Sequence, residues 1–172
     1  MTGLFKKNQN FILLTALLII FCITATSCKN GVFSKKEKEI TVAHTFPNTN
    51  WAFEEQVLTF DFDNPDTTAN YQISFILNYD PQTITMEEIP VTVTLTAPNG
   101  MESFVTSTFR LKETDALTAN ETDGSRNQEL VVFPKKDLRM SGRYSVSMYR
   151  KAVKADNYGF KKLSLRVKEV KK

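Results

Sequence analysis

The chain has 172 residues, 41% of them hydrophobic, and its 22 Lys and Arg against 19 Asp and Glu give a formal net charge of +3. So small an excess excludes phosphate-driven nucleic-acid binding, which needs clustered positive charge. A single histidine excludes a His-rich zinc site.

In chain order, Lys6 and Lys7 precede an apolar run over residues 11–23. That is signal-peptide length, whereas a spanning helix needs about 20 apolar residues. The small residues Thr24-Ala25-Thr26-Ser27 then lead to Cys28. A small-residue cleavage site ending in Cys resembles the lipobox of bacterial lipoproteins. The resemblance implies a diacylglycerol thioether on Cys28, cleavage before it, and acylation of the new amino end by a fatty acid such as palmitate. A plain secretory signal and an uncleaved anchor are the other readings of this segment. Removing residues 1–27 takes Lys6, Lys7 and no acidic residue, so 145 residues remain with 20 basic against 19 acidic side chains, a net of +1. That length suits one domain with a sizeable core. Cys22 leaves with the signal, so no disulfide is expected, and ordinary burial must hold the domain. With Cys28 lipidated no thiol is left to pair with His44, and no Ser stands in a Gly-x-Ser-x-Gly context. Neither a catalytic residue nor a cofactor is expected.

Residues 28–38 are polar and lysine-rich, with little to bury, and read as a tether. From residue 39 to residue 172 the hydrophobic period is two almost throughout. Leu58, Phe60 and Phe62 alternate with Thr59 and Asp61. Tyr71, Ile73, Phe75, Leu77 and Tyr79 share one face, with Ile76 as the exception. Ile89, Val91, Val93, Leu95 and Ala97 alternate with threonines, and Val105, Phe109 and Leu111 continue the pattern. Further runs lie at 130–133, 144–149 and 160–170. Such alternation sets one face on a core and the other in water, as in antiparallel sheets. Turn signals separate the runs: Asp63-Asn64-Pro65-Asp66, Asn78-Tyr79-Asp80-Pro81, Asp123-Gly124, and above all Ala97-Pro98-Asn99-Gly100, where Asn-Gly tolerates positive φ. Residues 112–119 are the one place for a short helical turn. About seven or eight strands spaced in this way predict an all-β antiparallel sandwich. Ser141-Gly142-Arg143-Tyr144-Ser145-Val146 resembles the penultimate strand of immunoglobulin-like sandwiches, where a tyrosine hydroxyl closes a corner against backbone and Val146 takes the usual cysteine's place.

Candidate sites are few. Asp61-Phe62-Asp63-Asn64-Pro65-Asp66 offers hard oxygens to calcium, but alternation turns Asp61 and Asp63 outward and the rest is turn chemistry, so no metal is expected. The pairs Glu54-Glu55 and Glu87-Glu88 point to opposite faces of a strand and do not converge on one bond. Asn120-x-Thr122 is a glycosylation sequon only in another kind of cell. The aromatics are more suggestive. Phe46, Trp51 and Phe53 surround Pro47-Asn48-Thr49-Asn50, while Tyr149, Tyr158 and Phe160 flank a second loop; these aromatics, Phe46, Trp51, Phe53, Tyr149 and Tyr158 foremost, are candidate interaction residues, or caps of the core ends. Basic residues at 150–154 and along the last strand are expected to be a solvated, lysine-protected edge.

Lipid-modified Cys28, Trp51, Thr59-Phe60-Asp61-Phe62, Tyr71-Gln72-Ile73-Ser74-Phe75, Ala97-Pro98-Asn99-Gly100, Gly142-Arg143-Tyr144 and Asp156-Asn157-Tyr158-Gly159-Phe160 together resemble the gliding-motility lipoprotein GldH family of Bacteroidetes. The resemblance spans nearly all of residues 28–172. It implies a non-enzymatic outer-membrane lipoprotein associated with gliding or type IX secretion, with envelope proteins as partners. Surface-exported lipoproteins of that group carry acidic residues after the lipidated Cys. Lys29-Asn30-Gly31 stands there instead and favours a periplasm-facing position. The alternative is a surface carbohydrate-binding or adhesin-type lipoprotein.

Overall fold

The computed structural model describes residues 38–64, 66–111, 124–151 and 157–171, all within the unit Glu37–Lys172. The signal segment, Cys28, the turn expected at 112–119 and the sequon at Asn120 lie outside the described residues. Among the described residues there are ten strands: β1 (Glu39–Thr45), β2 (Asn50–Trp51), β3 (Val57–Asn64), β4 (Asn70–Tyr79), β5 (Glu88–Thr96), β6 (Glu102–Arg110), β7 (Arg126–Asp137), β8 (Gly142–Arg150), β9 (Asn157–Tyr158) and β10 (Phe160–Val170).

Strand formation follows the alternation. Along β3 exposed and buried residues alternate without a break, and in β5 every second residue from Ile89 to Leu95 is buried. Every strand pair is antiparallel. Eight long strands form two four-stranded sheets, ordered β1-β10-β4-β7 and β3-β8-β5-β6, while β2 and β9 make a two-residue ribbon. The pairs β5–β6, β4–β7, β3–β8 and β1–β10 nest around one hairpin, whose tip is Ala97-Pro98-Asn99-Gly100 with Gly100 at φ 84°. A long two-chain ribbon folded over in this way is a jelly roll, with its two antiparallel sheets packed as a sandwich.

The sandwich is thus as expected, but the immunoglobulin-like order is not. That order sets the first two strands side by side in one sheet, whereas β1 and β3 lie in opposite sheets and β1 pairs with the last strand. The local feature that suggested it is present all the same. The Tyr144 hydroxyl accepts the Met140 N–H at 3.2 Å, and Val146 is fully buried in β8, the last long strand but one. A tyrosine corner fixes how one strand begins and carries no information about which sheet its neighbours join.

One continuous core fills the space between the sheets. Phe60 of one sheet meets Phe75 of the other edge-on with ring centres 5.6 Å apart, and Phe62 stacks on Tyr144 at 5.7 Å within one sheet. Each such side chain removed from water contributes about 1.5–3 kcal/mol.

Candidate functional site

The end of the sandwich where β1 leads into β2 and β8 leads into β9 is built around aromatic rings. After β1 the chain makes one 3-10 turn at Pro47–Thr49, with Asn48 at φ 51° and Thr49 at φ 54°. The left-handed region costs an L-residue roughly 1–2 kcal/mol, and a β-branched threonine is rarely found there. Surrounding structure holds it in place. The Thr49 N–H reaches the Phe46 carbonyl at 3.3 Å, the Gly159 N–H reaches the Thr49 carbonyl at 2.9 Å, and Asn50 and Trp51 pair with Tyr158 and Asn157.

Trp51 closes the core at this end. Its indole stacks on Phe46 with centroids 5.0 Å apart and meets Phe160 edge-on at 5.6 Å, while its Nε1–H donates to the Glu55 carbonyl at 2.8 Å. The Arg150 guanidinium lies over the same indole at 4.6 Å and donates from Nη2 to the Ala52 carbonyl at 3.0 Å. Arg150 is only 1% exposed. A cation over an aromatic face gains about 2 kcal/mol when both are desolvated, which offsets part of the cost of removing the charge from water. The backbone N–H of Arg150 also bonds the Gln56 carbonyl at 2.8 Å, so the segment 52–56 is held at both ends of the residue.

The five candidate aromatics divide into two groups. Phe46 and Trp51 belong to the core, Trp51 with no exposed surface at all, and act as caps. Phe53 and Tyr149 remain 41% exposed and Tyr158 56% exposed. Val57, more than half exposed, stands opposite Tyr149 across the β3–β8 pair. The expected solvated basic edge is corrected in two ways: the last strand, β10, is interior, paired with β1 and β4 on its two sides, and Arg150 lies in the core. The sequence held a signal for it: Tyr144, Val146 and Met148 are the inward positions of β8, and Arg150 continues that register.

His44 faces Phe46 edge-on at 5.0 Å, with its Nε2 3.7 Å from Glu55 Oε2, beyond hydrogen-bond reach. The acidic stretch is committed locally: Asp61 accepts from the Ser145 hydroxyl, Asp63 lies 3.8 Å from Arg143, and Asp66 takes the Thr68 N–H and hydroxyl at 2.8 and 2.7 Å. Among the described residues no cluster of His, Cys, Asp and Glu could hold a metal. Asp80 accepts from the Thr83 hydroxyl at 2.6 Å and the Gln82 N–H at 2.9 Å, and these bonds hold its carboxyl below the ordinary range. Burial raises the Tyr79 phenol, whose hydroxyl donates to the Leu111 carbonyl at 2.5 Å. At the opposite end of the sandwich, between the β5–β6 tip and the β7–β8 connection, a cleft of about 300 Å³ opens on Leu95, Leu138, Met140 and Tyr144 with Lys136 and Arg139 at its rim. Lys136 donates to Ser103 at 2.8 Å and Arg139 to Asp137 at 2.5 Å, so both cations are engaged within the chain.

No family model and no curated protein matches the chain. Among solved structures it is similar to the infectious bursal disease virus Gx strain structure, at 14% identity and TM-score 0.41 over 77% of this chain and 32% of that one. It is also similar to a carbohydrate-binding module, CBM28, specific for non-crystalline cellulose, at 15% identity and TM-score 0.37 over 66% of this chain and 73% of that one. A third is dimeric latent PorU from Porphyromonas gingivalis, at 9% identity and TM-score 0.39 over 77% of this chain and 13% of that one. The chain spans about a third of the length of the first of these. The fold assignment stands on the strand order itself, and no function passes across at these values.

Proposed function

We propose that the chain is a non-enzymatic, lipid-anchored outer-membrane protein of GldH-like type, facing the periplasm and binding other envelope proteins through the aromatic end of its sandwich. The supporting observation is the braced segment 46–56. A left-handed Thr49 is retained at a cost, a buried Arg150 clamps Trp51 and Ala52, and Phe53, Tyr149 and Tyr158 stay exposed around them. Local strain of this sort concentrates where a loop must hold one shape for function, and rigid exposed aromatics are efficient anchors at protein interfaces.

The test is crosslinking and affinity capture of the tagged full chain from native cells, beside Cys28→Ala and a Phe53→Ala/Tyr158→Ala double variant. Recovery of gliding or secretion components that falls with the double variant supports the reading. Unchanged recovery with the double variant sinks the aromatic contact, and unchanged recovery and fatty-acid labelling with Cys28→Ala sinks the anchor. The carbohydrate-binding alternative keeps Tyr149 and Tyr158 as exposed stacking faces but loses Trp51, whose ring is closed to any ligand by Phe46, Phe160 and Arg150. Glycan-array binding abolished by Tyr158→Ala would favour it.

A further inference from the structure

Among the described residues the two four-stranded sheets leave four edge strands, β1, β7, β3 and β6. Natural proteins blunt such edges with proline, lysine, bulges or exposed charge, because a row of unpaired backbone groups is a template for another strand. Strand β7 carries Pro134, Lys135 and Lys136, and its pairing with β4 is irregular at two places. Strand β3 carries Asp61 and Asp63 on its outer face. Strand β1 is the shorter of the remaining two, seven residues against nine, and its outward centre holds only Thr41 and Ala43.

Strand β6 has no proline, lysine or bulge, and its only charges, Glu102 and Arg110, stand at its two ends. It reads Glu-Ser-Phe-Val-Thr-Ser-Thr-Phe-Arg from residue 102 to 110, and its register with β5 is unbroken. The seven residues between its two charges are uncharged and rich in β-branched and aromatic types, the composition that favours strand pairing. Its outward row is Glu102, Phe104, Thr106, Thr108 and Arg110, and Phe104 at 79% is the most exposed large hydrophobic residue described.

The charge order of this strand is complementary to its own reverse. We infer that β6 pairs antiparallel with β6 of a second copy of this chain, joining two β3-β8-β5-β6 sheets into one eight-stranded sheet. A two-fold axis at Thr106 sets Thr106 against its own copy, Phe104 against Thr108 and Glu102 against Arg110, twice over by symmetry. Opposite charges and aromatic–threonine pairs facing each other across antiparallel strands are the combinations that stabilise a pair. Arg110 already meets Glu88 of its own chain at 3.8 Å, and a guanidinium has five donors, enough for a second carboxylate. A self-pairing of β3 lacks this complementarity, because its only charges are acidic.

The geometry gives a direct test that is independent of the envelope-partner reading. Across an antiparallel pair, facing Cα atoms lie about 4.5–5.5 Å apart, within disulfide reach. The full chain carrying Thr106→Cys is oxidised in intact native cells and compared with the unmodified chain and with Thr59→Cys on edge strand β3. The expected result is a disulfide dimer specific to Thr106→Cys. Adding Glu102→Arg or Phe104→Lys should return dimer to the background level, and adding Glu102→Arg together with Arg110→Glu should restore it. Buried Trp51 emission reports that each variant remains folded. Dimer no greater than in the unmodified chain, equal dimer from Thr59→Cys, or indifference to the charge variants would overturn the proposal. So would a Thr106→Cys product whose mass shows a different partner chain.

Discussion

At the scale of single residues, Trp51, Arg150 and Tyr79 decide how one end of the core is closed. Trp51 is the only tryptophan in the chain, so its emission reports on its own surroundings. Arg150→Ala removes the guanidinium over the indole and the donor to Ala52, and leaves a void between them. It should cost about 2–4 kcal/mol in urea unfolding and shift Trp51 emission to longer wavelength. Arg150→Met, which fills most of the same space without the buried charge, should cost less. Equal costs would show that the charge, and not the volume, carries the effect. Tyr79 supplies a pH dependence. Burial holds its folded-state pKa above the ordinary value of 10, so the folded chain binds its proton more tightly than the unfolded chain does. Its contribution is therefore complete below pH 10 and is lost as pH rises through the folded-state value. Tyr79→Phe should cost about 1 kcal/mol at neutral pH, through the lost donor to Leu111, and flatten the alkaline decline. Tyr71, raised chiefly by burial and further by Asp66 and Glu169, leaves a remaining slope of the same sign. Chemical denaturation between pH 8 and 11 reads both.

At the scale of elements, strands were legible and their junctions less so. The alternation in β3, β4 and β5 was visible because one face of each is buried along its whole length. Strand β1 was harder to see, since its inward residues include His44 and all are half-exposed on an edge. The β2–β9 ribbon is two residues per strand, too short for any period, and exists because Gly159 lets two connections cross. Gly159 sits at φ 95°, and its carbonyl accepts the Asp80 N–H at 2.7 Å. A Cβ there would meet the Ile84 nitrogen at 3.1 Å and the Asp80 oxygen at 3.3 Å. Gly159→Ala is therefore both strained and crowded by backbone that cannot swing away. It should destabilise by more than about 1 kcal/mol, where an alanine at an unstrained loop glycine would stabilise. A melting temperature equal to or above that of the parent would contradict this account of the crossing.

At the scale of the whole molecule, one core shared by both sheets predicts one cooperative transition. Trp51 fluorescence, at one end, and far-UV circular dichroism, averaged over all strands, should give coincident denaturation curves. A Trp51 transition at lower denaturant would show that the aromatic end opens separately. The sequence by itself determined the class of the fold, because period-two burial and an Asn-Gly hairpin turn are local properties that do not depend on which strands meet. It also determined that Asp61 and Asp63 face outward, by the same alternation. Strand order was decided only in the folded chain. Whether β1 joins β3 or β10 depends on which distant strands bury each other's faces, and a tyrosine corner is compatible with both arrangements. The division of the aromatics was likewise tertiary: Phe46 and Trp51 went inward and Phe53, Tyr149 and Tyr158 stayed out because Arg150 and Phe160, about a hundred residues further along, arrive to cover the first pair and not the others.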